Sequence, residues 1–359
     1  MRFAFAAAGT GGHVYPALAV ADRLVERGTE RNDIVFFGGD RLESSAVAEA
    51  GYPFVRLEIR GLRRSLSPAN AILPLLVKRA GDVVRRELTT RKTQVMAVFG
   101  GYVTGPAVLG ARRAGVPILV HEQNAVPGMA NKLARRSASR VMVAFQPAAA
   151  VLRGSAVVGN PLRRSIATFD LSAARGEALA RYGLRGWRPV LGVIGGSQGA
   201  AVLNGAVESI LADTSLDVDV VHLTGGVHAS LVEARAANDP RWHPVGFEDR
   251  MDLFYAACDL VLGRAGAMTV SELAATGTPS VLVPLPAGHG YQGRNAHDLE
   301  GAGGAIVVSQ ERIGDAVTAV VVLLGDEERR TEMGKHAASV GHPEAADVVA
   351  IALEELARV

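Results

Sequence analysis

The stretch Phe3-Ala-Phe-Ala-Ala-Ala-Gly-Thr-Gly-Gly-His13 passes from an apolar run into a glycine-rich turn, and Val190-Leu-Gly-Val-Ile-Gly-Gly-Ser-Gln-Gly-Ala200 repeats the pattern. Each run predicts a buried strand, a tight turn and a helix. Glycines let the backbone approach an anion, and the N-terminus of the following helix favours negative charge. For either turn alone, an ordinary tight strand-to-helix connection is the alternative. Together they predict two nucleotide-binding halves with a ligand in the cleft between them.

Composition indicates an ordinary globular protein. The chain has 359 residues, 48% hydrophobic and 21% charged, which is a length typical of two domains. Its longest apolar runs, such as 317–324, are too short to span a bilayer. Met1-Arg2 leads directly into a predicted core strand, so no cleavable signal is expected. The single Cys258 favours a reducing cytoplasm, and a net charge of +2 does not indicate nucleic-acid binding.

Strand-like and helix-like segments alternate along the whole chain. The predicted strands are 2–8, 33–37, 53–59, 94–99, 117–121 and 140–144 in the first half, and 189–194, 218–223, 243–246, 259–263, 280–284 and 305–308 in the second. Aliphatic strands separated by helices are typical of parallel sheets that are covered on both faces. Each half is therefore predicted to be a doubly wound α/β unit whose ligand binds beyond the carboxyl ends of the strands.

The domain boundary is predicted near Gly159-Asn160-Pro161. The first domain is expected to span residues 1–160. The second domain is expected to span residues 161–342. A predicted last helix at 344–358 has no strand after it, so segment 343–359 is expected to pack back on the first domain.

Seven polar or glycine-rich motifs occur in order along the chain. They are Gly9-Thr-Gly-Gly-His-Val-Tyr-Pro16, Gly100-Gly-Tyr-Val-Thr-Gly-Pro106, His121-Glu-Gln-Asn124, Gly159-Asn-Pro-Leu-Arg163, Gly195-Gly-Ser-Gln-Gly-Ala200, Arg264-Ala-Gly-Ala-Met-Thr-Val-Ser-Glu272 and Gln292-Gly-Arg-Asn-Ala296. In this combination the sequence resembles the MurG family of glycosyltransferases over nearly its whole length. The resemblance implies the GT-B fold, in which two doubly wound Rossmann-like domains with parallel sheets face a central cleft.

The resemblance also implies an activity and a location. Members of the family transfer N-acetylglucosamine from UDP-N-acetylglucosamine, with inversion at the anomeric carbon. The acceptor is N-acetylmuramyl-pentapeptide linked to undecaprenyl diphosphate, so that lipid I becomes lipid II in peptidoglycan synthesis. A peripheral protein on the cytoplasmic face of the cell membrane is therefore expected.

Such a reaction needs a base for the acceptor hydroxyl. His13 is the first candidate, because a helix N-terminus disfavours the charged imidazole, and the neutral form accepts a proton near pH 7. A purely structural His13 at the turn is the alternative. His121 and Glu122, at the end of a predicted strand, form the rival acid–base pair, and a role in orienting the acceptor is equally open for them. Asn124 and Asn131 offer amides to sugar hydroxyls or acceptor phosphate, or act as helix caps.

Donor binding is assigned mainly to the second half of the chain. Glu272 is expected to accept hydrogen bonds from the ribose hydroxyls, Arg264 to offset diphosphate charge and Ser197 to bind a phosphate oxygen. The resemblance implies that backbone groups of Phe247-Glu248 bind the uracil and that Arg163 contacts the donor. The other residues expected to contact UDP-N-acetylglucosamine are Thr10, Gly11, Gly12, Asn124, Ala267, Met268, Thr269, Val270, Ser271, Gln292 and Asn295, while Tyr102 and Asn131 are expected on the acceptor side.

No metal and no cofactor are expected. Asp217-Val-Asp219 has the spacing of the Asp-x-Asp pair of metal-dependent transferases. The surrounding run 216–221 instead alternates as a half-buried strand with solvated aspartates on one face. Stabilisation of the leaving diphosphate by glycine-rich turns, helix N-termini and an arginine is the favoured alternative.

Segment Arg60–Lys92 has an unusual composition. It carries nine Lys or Arg residues against two acidic ones, with leucine, isoleucine and valine interleaved. This pattern predicts an amphipathic surface lying on anionic lipid. The alternative is a solvated basic helix that packs its leucines into the first domain.

Two other function classes remain open. A UDP-sugar epimerase of similar fold would bind the same nucleotide sugar but would need no lipid acceptor. A non-catalytic nucleotide-binding scaffold at the membrane would bind UDP without releasing it in response to an acceptor.

Overall fold

The computed structural model describes residues 1–59, 72–196, 199–226, 229–286 and 292–358. The chain forms two compact units. The first comprises Met1–Arg163 with Pro343–Val359, and the second comprises Arg164–His342. Each unit contains one parallel sheet with helices between successive strands, which confirms the predicted α/β fold class.

The first unit is built on seven strands. They are β1 Phe3–Ala7, β2 Ile34–Gly38, β3 Phe54–Arg56, β4 Val95–Gly100, β5 Ile118–Glu122, β6 Arg140–Val143 and β7 Ala156–Val157, paired in the order β3-β2-β1-β4-β5-β6-β7. The helices among them are α1 Gly11–Glu26, α2 Leu42–Glu49, α3 Leu73–Thr90, α4 Thr104–Ala114, α5 Met129–Ala134 and α6 Gln146–Val151. The edge strand β7 is two residues long and lies outside the strands that the sequence predicts.

Strand β1 shows why this sheet is covered on both faces. All five of its residues are buried, and successive side chains point to opposite faces. Phe3 and Phe5 pack in one hydrophobic cluster with residues of α1. Ala4 and Ala6 pack in the other cluster with residues of α3 and α4. A continuous apolar run is therefore the expected sequence for this central strand.

The second unit is built on six strands. They are β8 Val190–Ile194, β9 Asp219–Leu223, β10 Trp242–Val245, β11 Leu260–Gly263, β12 Ser280–Leu282 and β13 Ala305–Val307, paired in the order β10-β9-β8-β11-β12-β13. Its helices are α7 Arg164–Ala167, α8 Leu171–Arg181, α9 Ala201–Leu211, α10 Ala229–Ala236, α11 Met251–Ala257, α12 Ala267–Thr276, α13 Gln292–Asn295, α14 His297–Gly301, α15 Ile313–Leu324 and α16 Glu327–Ser339.

The last helix, α17, spans Ala345–Leu356 and packs against α1 in the first unit. Its Val349 and Leu353 are fully buried in the cluster that contains Phe5. On the surface, Arg27 donates two hydrogen bonds of 3.0 and 2.9 Å to the Glu354 carboxylate. The C-terminal segment therefore completes the core of the first unit.

Polar and glycine-rich turns follow neighbouring strands in each sheet. In the first unit, Gly9 follows β1, Gly101 follows β4 and Glu122 ends β5, and these three strands are adjacent. In the second unit, Gly195 follows β8 and Arg264 follows β11, which are also adjacent. Because parallel strands end at the same edge, the topology gathers the candidate residues of each unit at one sheet edge.

Candidate active site

His13 lies in the first turn of α1 and is held as a neutral imidazole. Its Nδ1 donates a hydrogen bond to the carbonyl oxygen of Ala8 at 3.1 Å. With the proton on Nδ1, the lone pair is on Nε2. Burial lowers the pKa of His13 from its ordinary value of 6.5, although the charge of Glu122, the bond to Ala8 and the charge of Glu43 act in the opposite direction. Nε2 is thus able to accept a proton at neutral pH.

Glycine at position 100 leaves room for the His13 ring. Gly100 has a φ of +105°, and a Cβ added there would lie 3.1 Å from His13 Nε2 and 3.4 Å from Asn131 Nδ2. Both side chains therefore face the same stretch of backbone at the end of β4. The structure brings together these two residues, which the sequence assigned separately.

The Glu122 carboxylate is buried, and it accepts hydrogen bonds from the loop that follows it. It accepts hydrogen bonds from the N–H of Asn124 at 2.9 Å, the N–H of Gly128 at 3.0 Å and Asn131 Nδ2 at 3.0 Å. A carboxylate bound by three donors holds those donors in place. This geometry favours the positioning role for Glu122 over direct proton transfer.

His121 is fully buried at the end of β5, and both of its ring nitrogens are used. Nε2 donates to the carbonyl oxygen of Gly159 at 3.0 Å, and Nδ1 accepts from Gln123 Nε2 at 3.1 Å. The ring stacks on Phe99 with centroids 5.4 Å apart. Burial lowers the pKa of His121 to about 4. This placement argues against His121 as the base, because no ring nitrogen is left for a substrate proton.

Tyr102 contacts a residue that the sequence analysis did not single out. Its hydroxyl donates to Glu43 at 2.6 Å, and Glu43 is only 1% exposed. Burial and this hydrogen bond raise the pKa of Tyr102, so the phenol stays protonated. In sequence, Glu43 resembles any glutamate near the start of a helix, where carboxylates are common.

The remaining first-unit candidates lie around the same turn. Thr10 is the exposed N-cap residue of α1, and Gly11 and Gly12 form its first positions. A helix leaves the first N–H groups without partners in the helix, so this end is suited to a phosphate. The Arg163 guanidinium lies 5.0 Å above the ring of Tyr15.

In the second unit, Arg264 is a buried cation with neutral partners. It is 7% exposed, and it donates to the carbonyl oxygens of Val283 at 3.0 Å and Pro284 at 3.2 Å and to Gln310 Oε1 at 2.7 Å. Burial lowers its pKa, and its Nε atom has no partner among the described residues. A buried guanidinium surrounded by neutral groups is suited to binding an anion such as a diphosphate.

Glu272 is held within α12. It is 9% exposed and accepts a hydrogen bond of 2.8 Å from the hydroxyl of the buried Tyr255. The helix begins after Gly266, so the candidates Ala267, Met268, Thr269, Val270 and Ser271 form its first turns. The sequence analysis did not identify Tyr255, because the contact joins the side chains of two successive helices, α11 and α12, and only their packing brings these side chains together.

The side chain of Glu248 anchors the loop after β10. It accepts two hydrogen bonds from Arg181 at 2.9 and 2.7 Å and one from the Tyr182 hydroxyl at 2.7 Å. Burial alone would raise the pKa of Glu248, but these bonds lower it to about 2. Phe247 beside it is 75% exposed. The Glu248 carboxylate is therefore occupied by intramolecular hydrogen bonds, in agreement with the expectation that backbone groups, and not this side chain, contact the uracil.

Gln292 and Asn295 are both bonded to nearby turns. Gln292 Oε1 accepts from the N–H of Leu285 at 3.1 Å, and Asn295, 1% exposed, donates to the carbonyl oxygen of Ala265 at 3.2 Å. The burial of Asn295 favours a role in holding the Arg264 turn. The Ser197 prediction lies outside the described residues, as does part of the basic segment, residues 60–71.

The prediction that both aspartates of Asp217-Val-Asp219 are solvated is confirmed for Asp217, which is exposed, but it is wrong for Asp219. Asp219 is only 6% exposed. Arg188 pairs with both carboxylates, and it lies 3.3 Å from Asp219. Asp219 begins β9, so the pair lies at the amino end of that strand, opposite the edge that carries the glycine-rich turns. The arginine explains why an aspartate is buried at this point.

We therefore expect enzymatic activity to survive removal of divalent cations by EDTA. Asp217 and Asp219 are assigned a structural role, because both pair with Arg188 and lie at the amino end of β9. The measurement is the rate of UDP release with EDTA, and again after adding Mg²⁺ or Mn²⁺. Activity that is abolished by EDTA and restored by either cation would contradict the expectation and return attention to Asp217 and Asp219.

Comparison with known proteins places these residues in a family. The N-terminal domain of glycosyltransferase family 28 matches residues 3–143, and its C-terminal domain matches residues 190–349. A relative from Clavibacter sepedonicus is 42% identical over 94% of this chain and 92% of its own length. A relative from Streptomyces coelicolor is 40% identical over 97% of this chain and 96% of its own length. Both are named UDP-N-acetylglucosamine–N-acetylmuramyl-(pentapeptide) pyrophosphoryl-undecaprenol N-acetylglucosamine transferase.

A solved structure gives the same result. MurG from Acinetobacter baumannii is 28% identical, with a TM-score of 0.78 over 99% of this chain and 100% of that one. This similarity agrees with the MurG resemblance that the seven sequence motifs indicated. The chain therefore belongs to glycosyltransferase family 28.

Proposed function

We propose that this protein transfers N-acetylglucosamine from UDP-N-acetylglucosamine to undecaprenyl-diphosphate-linked N-acetylmuramyl-pentapeptide. The names of its full-length relatives support this substrate pair. Within the structure, the observation that carries the proposal is His13, a neutral imidazole with its lone pair on Nε2 beside a glycine-rich turn. That arrangement suits a transfer in which a hydroxyl must lose its proton next to a phosphate.

The reaction balances with groups that the chain itself supplies. The acceptor hydroxyl oxygen forms a bond to the anomeric carbon, and His13 Nε2 takes its proton. The bond between the anomeric carbon and the UDP oxygen breaks, and UDP leaves with the electron pair. Arg264 and the N–H groups at the helix N-termini offset the charge that grows on the diphosphate. Attack from the face opposite UDP inverts the anomeric carbon.

Donor and acceptor roles are assigned to separate sets of residues. Glu272 binds the ribose hydroxyls and the backbone at Phe247 binds the uracil, while the turn at Gln292 binds the sugar. Glu122 holds the loop that presents Asn124, and Tyr102 lies on the acceptor side. Arg163 and the Thr10 turn bind the donor phosphates.

The coupled release of UDP tests this function. UDP release from UDP-N-acetylglucosamine is followed with and without a polyprenyl-diphosphate muramyl-peptide analogue. We expect release to depend strongly on the analogue. Turnover of the nucleotide sugar without any acceptor would favour an epimerase or a hydrolase, and UDP binding without acceptor-dependent release would favour a scaffold.

We also propose that helix α3 rests on the cytoplasmic face of the membrane. Among the described residues, no helix is long and apolar enough to cross a bilayer. Ile72, directly before the helix, is 50% exposed and Leu75 is 49% exposed, and the basic Lys78 and Arg79 lie beside them. The helix packs on the first unit through Gly81 and other residues further along. Exposed apolar groups beside basic ones suit an anionic lipid surface.

Leu75→Glu is expected to weaken binding to anionic vesicles by roughly tenfold, because it removes an apolar contact and adds a charge that phosphatidylglycerol repels. Co-sedimentation with phosphatidylglycerol vesicles measures the effect. Val322→Glu is the matched control, since Val322 is 51% exposed on helix α15 of the second unit. Equal vesicle binding by the two variants would refute the assignment of α3.

A further inference from the structure

A single buried carboxylate connects three strand ends of the first unit. Glu43 Oε2 accepts the N–H of Gly9 at 3.1 Å, and Oε1 accepts the N–H of Gly39 at 3.0 Å and the Tyr102 hydroxyl at 2.6 Å. Gly9 follows β1, Gly39 follows β2, and Tyr102 follows β4. All three donors therefore converge on one side chain at the edge of the sheet where the glycine-rich turn lies.

Two glycines at the end of β2, Gly38 within the strand and Gly39 directly after it, are required for this convergence. A Cβ added at Gly38 would lie 2.7 Å from Glu43 Cγ, and one at Gly39 would lie 1.9 Å from the Tyr102 hydroxyl oxygen. Any larger residue would therefore displace the carboxylate or the phenol. The backbone of this segment is shaped to admit Glu43 and Tyr102 together.

The hydrogen bond from Gly9 to Glu43 links this carboxylate to the turn that precedes His13. Gly9 has a φ of +102°, Thr10 follows it directly, and His13 lies in the first turn of the helix that begins after Thr10. The carbonyl oxygen of Ala8, which fixes the His13 ring, belongs to the peptide bond whose N–H is on Gly9. One peptide unit thus accepts from His13 on one side and donates to Glu43 on the other.

We propose that Glu43 is a positioning residue for His13: through the Ala8–Gly9 peptide it fixes the orientation of the imidazole that accepts the acceptor proton. The inference rests on the proposed function, because it takes His13 to be the base. Glu43 touches no reacting atom in this account. It acts through a hydrogen bond on the backbone and through its charge.

Two carboxylates act on the His13 imidazole, and a neutral phenol lies beside them. The charge of Glu122, at the end of β5, and the charge of Glu43, on α2, both raise the pKa of His13. Tyr102, from the segment after β4, is protonated and adds no charge. Loss of the Glu43 charge is therefore expected to lower the pKa of His13 further, since a nearby anion stabilises imidazolium.

Two substitutions separate the contact from the charge. Glu43→Gln keeps the length of the side chain but removes the charge, and its NH₂ group must face one of the three donors. Glu43→Asp keeps the charge but is one methylene shorter, so it cannot reach both Gly9 and Gly39. Glu49→Gln is the matched control, because Glu49 ends the same helix and is exposed.

The readouts are the pH profile of kcat/KM and the titration of the His13 ring by NMR, with its signal identified by its absence in His13→Ala. We expect both Glu43 variants to lower kcat/KM at its plateau by roughly 10- to 100-fold, because a small displacement of a catalytic group is costly. In Glu43→Gln alone, the His13 midpoint is expected to move to lower pH by roughly half a unit. Thermal unfolding of each variant is measured to check that it remains folded.

Each outcome bears on the proposal. A Glu43→Gln variant whose rate and His13 midpoint match those of Glu49→Gln would overturn it. A variant with a lower unfolding temperature but an unmoved midpoint and a wild-type rate would show that Glu43 is only structural, which also overturns it. If His13→Ala keeps the wild-type rate, the proposed base fails, whereas the NMR midpoint in Glu43→Gln still reports separately on the link from Glu43 to His13.

Discussion

Replacing His13 with alanine is expected to lower kcat by roughly 10²- to 10⁴-fold, the usual contribution of a general base. The affinity for UDP is expected to change little, because the lost group acts on the acceptor proton in the transition state. Steady-state kinetics and calorimetric titration with UDP measure the two quantities. Glu122→Gln is the comparison, and its loss is expected to be smaller, since that carboxylate holds its own loop.

The pH dependence provides the second half of this test. The neutral imidazole is the active form, so kcat/KM should rise with pH through the His13 ionisation. Burial lowers the pKa of His13, so the midpoint should fall below the ordinary value of 6.5. This rise of kcat/KM with pH should be absent in His13→Ala. If His13→Ala instead loses UDP binding as severely as rate, His13 only shapes the phosphate turn and the base must be sought at Glu122.

Glu272→Ala is expected to remove about 2 to 4 kcal/mol of transition-state stabilisation, a loss of roughly 30- to 1000-fold in kcat/KM. The carboxylate is proposed to accept two hydrogen bonds from the ribose, and hydrogen bonds to charged groups are the stronger ones. Binding of UDP, measured by calorimetry, should weaken as well. The exposed Glu233 in α10 offers a matched control, and Glu233→Ala should leave both quantities unchanged.

The ribose itself gives the sharper comparison for Glu272. With the wild-type protein, 2′-deoxy-UDP-N-acetylglucosamine should react more slowly than the natural donor, and this difference should shrink in Glu272→Ala. Tyr255→Phe should show an intermediate loss, because it frees the carboxylate from its hydrogen bond without removing it. Equal rates for the deoxy and ribose donors with the wild-type protein would show that Glu272 does not bind the ribose.

Much of the fold was predictable because its signals are local. The apolar runs at Phe3–Ala7 and Val190–Ile194 are buried central strands, and each ends in the glycine-rich turn that the sequence shows. The predicted strand 53–59 is shorter in the structure, at Phe54–Arg56, and β7 at Ala156–Val157 was not predicted. Both lie at an edge of the sheet, where fewer contacts constrain the sequence pattern.

The site was only partly predictable because several of its hydrogen bonds join residues that are distant in sequence, and because burial is set by the fold. The motif His121-Glu-Gln-Asn124 identified the correct segment. Only the fold shows that the His121 imidazole is buried and hydrogen-bonded to the protein, while the Glu122 carboxylate binds donors of its own loop. Glu43 was not predicted because, besides the nearby Gly39, two of its three partners are 34 and 59 residues away, at Gly9 and Tyr102. Asp219 appeared solvated in sequence because its partner Arg188 lies on another segment.

The central claim is that this chain moves N-acetylglucosamine onto a lipid-linked acceptor. Its most direct test gives the purified protein UDP-N-acetylglucosamine labelled in the sugar, together with the polyprenyl-diphosphate muramyl-pentapeptide, and follows the label into an organic extract. The account predicts that label enters the lipid in a one-to-one ratio with released UDP, and that His13→Ala slows both together. Label that stays in a water-soluble sugar nucleotide, with or without a changed sugar, would contradict it.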